Sequence, residues 1–296
     1  MLDVRKLRLL RELARRGTIA AVAEALAYTP SAVSQQLTAL ERETGVPLLE
    51  RTGRRVTLTP AAQGLVEHTE AILALLATAE TALENAARAL SGVLRIGAFP
   101  TAIPAVVTPA IVALSAEHPS LDLTVIELDP ASVPDALRTE AVDIALVQEY
   151  DHVPAQPHPG LHTEPLLEEA VYLAARHPQP LTGLRDTPWI AGTPGTLCHT
   201  LTIRACEAAG FTPHIRHHAD DFTTVLALVA ANQGAAFVPD LAITTPPPNV
   251  SLTPLPIHRR THLAYRQGTT NHPAITAARS ALKTAAGRGR LGDGLV

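Results

Sequence analysis

The sequence has few cysteines, few lysines and no long run of apolar residues. Its two cysteines, Cys198 and Cys206, are too few for a disulfide scaffold or a four-ligand zinc site. No apolar run approaches the roughly 18 residues that a membrane-spanning helix needs. The segment 1–16 alternates charge with leucine and lacks the continuous apolar core of a signal peptide. We therefore expect a cytoplasmic protein without a membrane anchor.

The charges are distributed unevenly along a chain of globular composition. Hydrophobic residues make up 46% and charged residues 18% of its 296 residues, a length that suits two or three modules. Residues 1–60 contain 10 Lys/Arg and 6 Asp/Glu, whereas the remainder contains 14 and 22. Chance could give this bias, but it is also typical of a basic DNA-binding module joined to an acidic sensor.

The first sixty residues carry the start and stop signals of three short helices. Asp3 can cap the first helix and Gly17 can end it, and Thr18 can cap the second. Thr29, followed by a proline at the first helical position, opens a third helix that Gly45 ends. This spacing predicts a helix-turn-helix, whose second helix enters the major groove of DNA, although a plain three-helix bundle is an alternative.

The start of the third helix and the loop after it offer side chains suited to DNA. The segments 48–51 and 56–59 flank a turn that contains Gly53, which predicts a two-stranded wing. Hydroxyl and amide side chains at the helix start can reach base edges, and wing arginines can neutralise phosphates. The candidate DNA-binding residues are Pro30, Ser31, Ser34, Gln35, Arg51, Arg54 and Arg55, with Gln36 as a further amide.

A long helix is predicted to follow Thr59, which again precedes a proline. Its apolar positions recur with a period of 3.5 residues, the pattern of a coiled-coil seam. The seam comprises Leu65, Thr69, Ile72, Leu76, Ala79, Leu83, Ala86 and Leu90. Gly92 ends the helix, and because such a seam needs a partner, the pattern predicts a dimer.

Beyond Gly92, strand and helix patterns alternate, which predicts an α/β fold with parallel sheets covered by helices. The predicted strands are 93–97, 121–128, 142–147, 171–174, 189–191, 214–218 and 235–238. The predicted helices are 103–118, 134–139, 197–209 and 222–233. The Pro-rich segment 244–250 is expected to be a loop.

Four short motifs make the N-terminal pattern specific. They are PSAVSQQL at 30–37, TGVPLL at 44–49, RTGR at 51–54 and LTP at 58–60. Together they resemble the DNA-binding head of LysR-type transcriptional regulators, and the resemblance continues to about Leu282. It implies a winged helix-turn-helix, a dimerising linker helix and two Rossmann-like α/β lobes similar to periplasmic binding proteins. It also implies a homotetramer built from dimers, with a small-molecule effector between the lobes.

The resemblance gives the expected domain limits and partners. We expect a winged helix-turn-helix at 1–59, a linker helix at 60–91 and an effector-binding domain at 92–296. Within that domain, lobe I covers about 92–163 and 264–285, lobe II covers about 164–263, and 286–296 is a frayed tail. The expected partners are double-stranded DNA with an interrupted inverted repeat, an effector and further copies of the chain. No cofactor, metal ion or catalytic residue is expected.

Two loops of the predicted lobes place a threonine next to a helix start. Thr101 follows the first strand of lobe I, and Thr196 precedes the helix 197–209 of lobe II. Because helix N-termini favour anions, we expect a small anionic effector such as a carboxylate, unless both threonines only cap helices. In the LysR family these loops face each other across the effector cleft. The candidate effector-binding residues are Pro100, Thr101, Gln148, Thr196, Leu197 and Phe222.

Two alternative functions stay open. A two-lobed enzyme or transport binding protein is one, although no paired acid accompanies the Cys198-His199 dipeptide and transport requires a signal peptide. A redox-sensing regulator of the same family is the other, because its peroxide sensors carry two cysteines in this part of lobe II. In one straight helix Cys198 and Cys206 would lie about 12 Å apart, beyond disulfide reach without refolding.

The histidines of the segment 214–218 could suggest a metal site. On the predicted strand, however, His217 and His218 would point to opposite faces. We therefore expect a solvated strand in which His214, His217 and His218 bind no metal.

Overall fold

The computed structural model describes residues 2–52, 55–85, 90–153 and 158–289. The chain divides into two units, one formed by Met1–Ala87 with Arg266–His272 and the other by Arg88–Tyr265 with Pro273–Val296. Within the described ranges, no helix is both long and apolar enough to cross a membrane.

The N-terminal unit begins with three helices and a hairpin. The helices are α1 (Val4–Arg16), α2 (Ile19–Ala25) and α3 (Pro30–Thr44). The strands β1 (Leu49–Thr52) and β2 (Arg55–Leu58) pair antiparallel, which confirms the predicted wing. The three helices enclose one apolar core formed by Leu7, Leu10, Leu13, Val22, Val33, Leu37 and Leu40.

The predicted helix limits of this unit are confirmed by the caps. The side chains of Asp3, Thr18 and Thr29 each accept a hydrogen bond from a backbone N–H of the first turn that follows. Gly17 and Gly45 end α1 and α3 with φ angles of 72° and 70°, a left-handed conformation that glycine adopts without steric cost.

The long helix α4 (Pro60–Asn85) starts where the sequence predicts, because Thr59 Oγ1 accepts the N–H of Ala62 at 3.2 Å. Its predicted seam is only partly available to a partner. Three seam residues pack against the helical core of the same unit: Leu65, Thr69 and Ile72. By contrast, Leu75 and Leu76 are 70% and 41% exposed, so the apolar face left for a partner starts there.

The rest of the seam does not form one continuous helix in the described residues. Leu90 is not helical and packs against the apolar core around β3 of the second unit. The seam positions Leu83 and Ala86 lie outside the residues whose side chains the structure describes. The expectation that the whole seam faces a partner is therefore wrong for its first part.

The second unit alternates strands and helices. Its strands are β3 (Gly92–Ala98), β4 (Leu121–Glu127), β5 (Ile144–Tyr150), β6 (Leu161–Ala175), β7 (Pro188–Ala191), β8 (His214–His218), β9 (Ala236–Pro239) and β10 (Ser251–Arg266). Its helices are α5 (Thr108–Glu117), which a π-helical segment Ile103–Val107 precedes, α6 (Val133–Arg138), α7 (Leu197–Ala208), α8 (Phe222–Ala230) and α9 (Pro273–Gly289). The predicted loop at 244–250 contains no helix or strand.

The main sheet is mixed rather than parallel, which corrects the expectation. Its six strands run in the order β4-β3-β5-β10-β6-β9. Strand β3 is parallel to β4 and β5, but β10 pairs antiparallel with β5, and β9 pairs antiparallel with β6. Strands β7 and β8 form a separate parallel pair.

The antiparallel pairs arise from two long strands that the sequence patterns did not predict in full. Strand β6 has 15 residues, of which only 171–174 were expected, and the 16 residues of β10 were not expected as a strand. Pro165, Pro254 and Pro256 interrupt these strands in the sequence, and proline normally argues against a central strand.

The C-terminal helix also differs from expectation. Helix α9 extends to Gly289, so residues 286–289 of the expected tail are helical, and the remainder lies outside the described residues. Ala278, Leu282 and Ala285 are buried against the core that β3 and α5 share. These contacts extend the helix into the predicted tail.

Candidate DNA-binding face and effector site

The start of α3 presents one polar face. Pro30, Ser31 and Gln35 are exposed and Ser34 is half-buried, whereas Val33 on the opposite face is buried. Residues three and four apart lie on the same side of a helix, so the serines and Gln35 form a continuous patch. The Ser31 hydroxyl lies 3.1 Å from the hydroxyl of the N-cap Thr29, which orders the first turn.

A partly buried contact fixes the wing against α3. Glu41 Oε1 accepts the backbone N–H groups of Leu48 and Leu49, each at 2.9 Å. Arg51 lies on β1 and Arg55 on β2, on either side of the hairpin turn. The side chains of Arg51 and Arg55, and the whole of Arg54, lie outside what the structure describes.

In the second unit, a buried arginine joins two predicted effector residues. Arg259 on β10 is 1% exposed, and its Nε donates to Glu169 Oε1 at 2.7 Å. Its Nη1 donates to Gln148 Oε1 at 3.1 Å, and its Nη2 donates to Thr101 Oγ1 at 3.0 Å. The guanidinium carbon lies 4.9 Å from the ring centroid of Phe99, a cation–π distance. The arginine therefore connects β10 with β6, β5 and the loop after β3.

The same network reaches a further loop through Glu169. Its Oε2 accepts the backbone N–H of Leu241 at 2.6 Å, in the turn after β9. Burial alone would lower the pKa of Arg259, but Tyr150 and Glu169 raise it above its ordinary value. The guanidinium is therefore a permanent positive charge inside the domain.

Thr101 does not cap the lobe I helix, which corrects one part of the anion hypothesis. Its hydroxyl accepts from Arg259 instead. The N–H groups of Ala102 and Ile103 donate to the carbonyls of Phe99 and Pro100, at 3.0 and 3.3 Å. The N–H of Ile103, the first residue of this helix, is therefore used within the chain, and the next residue, Pro104, has no N–H to offer an anion.

Thr196 is a helix cap, which was the alternative to a role in effector binding. Its Oγ1 accepts the N–H of His199 at 3.2 Å and donates to the carbonyl of Thr193 at 2.8 Å. Because a hydroxyl has one proton, Thr196 has none left to offer an effector. The N–H groups of Leu197 and Cys198, by contrast, make no hydrogen bond within the described residues.

A small cavity of about 20 Å³ lies between α7, α8 and the end of β5. Tyr150, Cys198, Asp220 and Phe222 line it, and its volume suits roughly one water molecule. Asp220 holds the loop before α7, because its carboxylate accepts the N–H and the hydroxyl of Thr193 at 2.8 and 2.6 Å.

The structure thus brings only some candidate effector residues together. Thr101 and Gln148 meet at Arg259, and Phe222 lines the cavity. Pro100 is exposed and Leu197 packs against the core of Trp189, so neither reaches the cavity.

Both thiols lie in surroundings that disfavour the thiolate. Burial raises the pKa of Cys198, and the hydrogen bond between its sulfur and the Tyr150 hydroxyl, 3.5 Å away, only partly opposes this. Burial raises the pKa of Cys206 to about 12. Both cysteines are on α7, as predicted, and both are free.

The histidine strand is less solvated than expected. His217 Nε2 is buried without a hydrogen-bond partner in the described part of the chain. His218 Nδ1 and His199 Nδ1 both lie 3.0 Å from the carbonyl oxygen of Gly192. Since a carbonyl only accepts, both Nδ1 atoms carry protons. Across the described ranges, no three His, Cys, Asp or Glu residues are grouped to hold a metal ion.

Sequence reasoning missed Arg259, Glu169, Tyr150 and Asp220. The missed signal for Arg259 is an alternation along β10, in which every second residue is buried. The buried positions are Ile257, Arg259, Thr261, Leu263 and Tyr265. A charged residue in register with apolar ones on a strand indicates a buried charge with a partner.

Comparisons with known proteins cover both units. The family model "LysR substrate binding domain" matches residues 87–287, and "Bacterial regulatory helix-turn-helix protein, lysR family" matches residues 4–63. The chain is 31% identical over 230 residues to the HTH-type transcriptional regulator AlsR of Bacillus subtilis, with 74% of each chain covered. It is 35% identical over 182 residues to a "Probable hydrogen peroxide-inducible genes activator" of Mycobacterium xenopi, covering 62% of this chain and 94% of that one.

A solved structure extends the likeness to nearly the whole chain. The OxyR C206 mutant of Corynebacterium glutamicum superposes with a TM-score of 0.58 at 25% identity, covering 97% of this chain and 92% of that one. The chain belongs to the LysR family of transcriptional regulators, which bind DNA and small-molecule effectors and form oligomers.

Proposed function

We propose that this regulator binds an interrupted inverted repeat through two copies of α3 and the wing. The residues proposed to contact DNA are Pro30, Ser31, Ser34, Gln35, Arg51, Arg54 and Arg55. The proposed limits of the modules stay at 1–59, 60–91 and 92–296. A chain that works on chromosomal DNA is proposed to act in the cytoplasm and to catalyse no reaction.

The exposed polar face at the start of α3 supports this proposal most directly. The amide of Gln35 makes no hydrogen bond within the described residues, and a side chain of this type can form two hydrogen bonds to the N6 and N7 atoms on the major-groove edge of adenine. The wing is held to the same helix by Glu41, so the proposed phosphate and base contacts lie on one rigid support.

Replacement of Gln35 by Glu tests the proposal. The change keeps the shape of the side chain but removes its donor and adds a negative charge next to DNA. We expect a loss of at least about tenfold in affinity for the operator, measured by footprinting on the DNA beside its own gene. Gln63→Glu, on the exposed surface of α4, adds the same charge as a control. Equal footprints for both variants would refute the assignment of α3.

For the effector, we propose a small anion, such as a carboxylate, bound between the lobes of the second unit. Arg259, rather than the helix start after Thr101, now supplies the positive charge that supports this proposal. The unbonded N–H groups of Leu197 and Cys198 at the start of α7 add two donors. Calorimetry of the full chain with small carboxylates and their amides tests this choice of class.

Redox sensing through Cys198 and Cys206 is the second candidate. Its support is the 35% identity to a relative whose name concerns hydrogen peroxide, together with the position of Cys198 at the cavity. The raised pKa of both thiols disfavours it, since the thiolate is the nucleophile that attacks peroxide. Thiol titration and DNA binding after addition of one equivalent of hydrogen peroxide test this candidate. A redox sensor should lose the Cys198 thiol and change its DNA binding, whereas the Cys198→Ser variant should not respond.

A further inference from the structure

The partners of Arg259 are unusual for a buried guanidinium. Only Nε meets a charged group, the carboxylate of Glu169. The two terminal nitrogens, which form the edge that normally binds a carboxylate with two parallel hydrogen bonds, meet neutral oxygens of Gln148 and Thr101 instead.

The hydrogen-bonding capacity around this edge is also incomplete. A guanidinium has five N–H groups; Glu169, Gln148 and Thr101 each accept one, and the hydroxyl of Tyr150 is a further hydrogen-bond partner. Two residues along the same face of β10, the buried hydroxyl of Thr261 has no hydrogen-bond partner in the described part of the chain. Buried polar groups that lack partners are rare and indicate a missing ligand, ion or water.

We propose that Arg259 is the residue that selects the effector, by binding its carboxylate through Nη1 and Nη2. Gln148 and Thr101 hold these nitrogens in place without effector and yield them to the ligand. Glu169 keeps its bonds to Arg259 Nε and to the N–H of Leu241, so ligand binding changes the contacts of β5 and β3 but not those of β6. This inference rests on the proposed anionic effector and names the residue that recognises it.

A variant of Glu169 should change carboxylate binding in the direction opposite to a variant of Arg259. Glu169 neutralises part of the charge of Arg259 and repels an incoming anion. Glu169→Gln keeps one acceptor oxygen, which can face Arg259 Nε, and removes the negative charge, while the oxygen that accepts the N–H of Leu241 is replaced by an NH2 group. The variant should therefore bind carboxylates more tightly, whereas a merely structural role predicts weaker binding of every ligand.

The experiment measures preference rather than affinity alone. Acetate, succinate and benzoate are titrated into the full-length protein by calorimetry, each beside its uncharged amide. Arg259→Met should reduce the carboxylate-to-amide affinity ratio by about 10- to 100-fold, the range for lost hydrogen bonds to a charged group. Glu169→Gln should raise the ratio several-fold. In the double variant Arg259→Met with Glu169→Gln, which lacks both charges, carboxylate and amide should bind equally, so the ratio should be about one.

Arg260→Met is the matched control, because Arg260 is the next residue, is partly exposed and pairs with Asp151 and Glu168 outside this network. Fluorescence of Trp189, the one tryptophan of the sequence, reports whether each variant is folded. If Arg259→Met leaves the ratio of a binding carboxylate unchanged, the role of Arg259 is refuted while the anionic effector stands. If no carboxylate binds the unmodified protein better than its amide, both proposals fail. If Arg259→Met alone unfolds, the carboxylate-to-amide ratios of the double variant and of Glu169→Gln test the role of Arg259.

Discussion

The two units of the chain each bury an ionic group, but they surround it differently. In the N-terminal unit, the fully buried carboxylate of Glu12 accepts from Arg11 and Arg16 at 2.8 and 2.9 Å and from Arg15 at 3.2 Å. All three arginines lie within four residues of Glu12. In the second unit, the partners of Arg259 lie 90, 111 and 158 residues away.

The difference lies in the number of charged partners, because Glu12 has three arginines and Arg259 has one carboxylate, although Arg11 Nε also lacks a hydrogen-bond partner within the described residues. Burial would raise the pKa of Glu12, but the arginines, Arg11 foremost, lower it overall, so both carboxylate oxygens are charged and fully bonded. Arg259 has one charged partner, Glu169, and its other hydrogen-bond partners, Gln148, Thr101 and Tyr150, are neutral. We infer that Glu12 serves stability alone, whereas Arg259 is also available for a ligand.

The largest expected effect breaks the cluster around Glu12. Glu12→Ala leaves Arg11, whose side chain is 7% exposed, without its buried carboxylate. Removing one partner of a buried ion pair costs about 3 to 5 kcal/mol. We expect the N-terminal unit to melt earlier in circular dichroism, with no change in the fluorescence transition of Trp189, which belongs to the second unit.

Glu24→Ala on the exposed surface of α2 is the control for Glu12→Ala, because it removes the same charge without a buried partner. The two probes are read separately, since a chain of two units need not unfold in one step. If Glu12→Ala melts like the control, the cluster contributes no stability and the comparison fails.

A smaller effect distinguishes the two threonines of the second unit. Thr101→Val removes the acceptor of a buried Arg259 N–H, at a cost of about 1 to 3 kcal/mol. Thr196→Val removes the cap of α7 and the local hydrogen bond to the carbonyl of Thr193, at a cost of about 1 kcal/mol. Urea unfolding followed by Trp189 fluorescence should place both below the unmodified protein, with Thr101→Val lower. The reverse order would mean that the local cap matters more than the long-range network.

Features that depend on neighbouring residues could be predicted from the sequence, whereas contacts between distant residues could not. The caps at Thr29 and Thr59 and the glycine stops at Gly17 and Gly45 depend on neighbours a few residues away, so their patterns were sufficient. The family resemblance proposed the loops at Thr101 and Thr196 as effector loops. It could not reveal that Thr101 accepts from Arg259, because that contact joins residues far apart in the chain across strands whose order the pattern does not give.

The prolines of β10 made prediction harder, because proline normally argues against a central strand and the strand that carries Arg259 was therefore not predicted. The predicted seam of α4 failed for a related reason. A period of 3.5 residues marks an apolar stripe, but it does not tell whether the stripe meets another chain or, as at Leu65 and Ile72, the core of its own unit.

The smallest expected effect asks whether burial or distance along the chain makes a cluster stabilising. Glu164 on β6 accepts from Arg279 and Lys283 of α9, each at 2.9 Å, so its partners are as distant as those of Arg259, but the cluster lies near the surface. The hydrogen bond from Arg279 lowers the pKa of Glu164 to about 2. Because the folded state holds the carboxylate ionised, its contribution is complete above the ordinary pKa of 4.5 and is lost as the pH falls towards 2. Screening by water limits this contribution to about 1 kcal/mol.

Between pH 7 and pH 3, Glu164→Gln should therefore lose less stability than the unmodified protein, measured by the melting of Trp189 fluorescence. Glu127→Gln, an exposed carboxylate at the end of β4, should leave the pH dependence unchanged. A pH dependence of Glu164→Gln equal to that of the unmodified protein would show that a surface cluster assembled over more than a hundred residues adds nothing measurable, and that burial is what distinguishes Arg259.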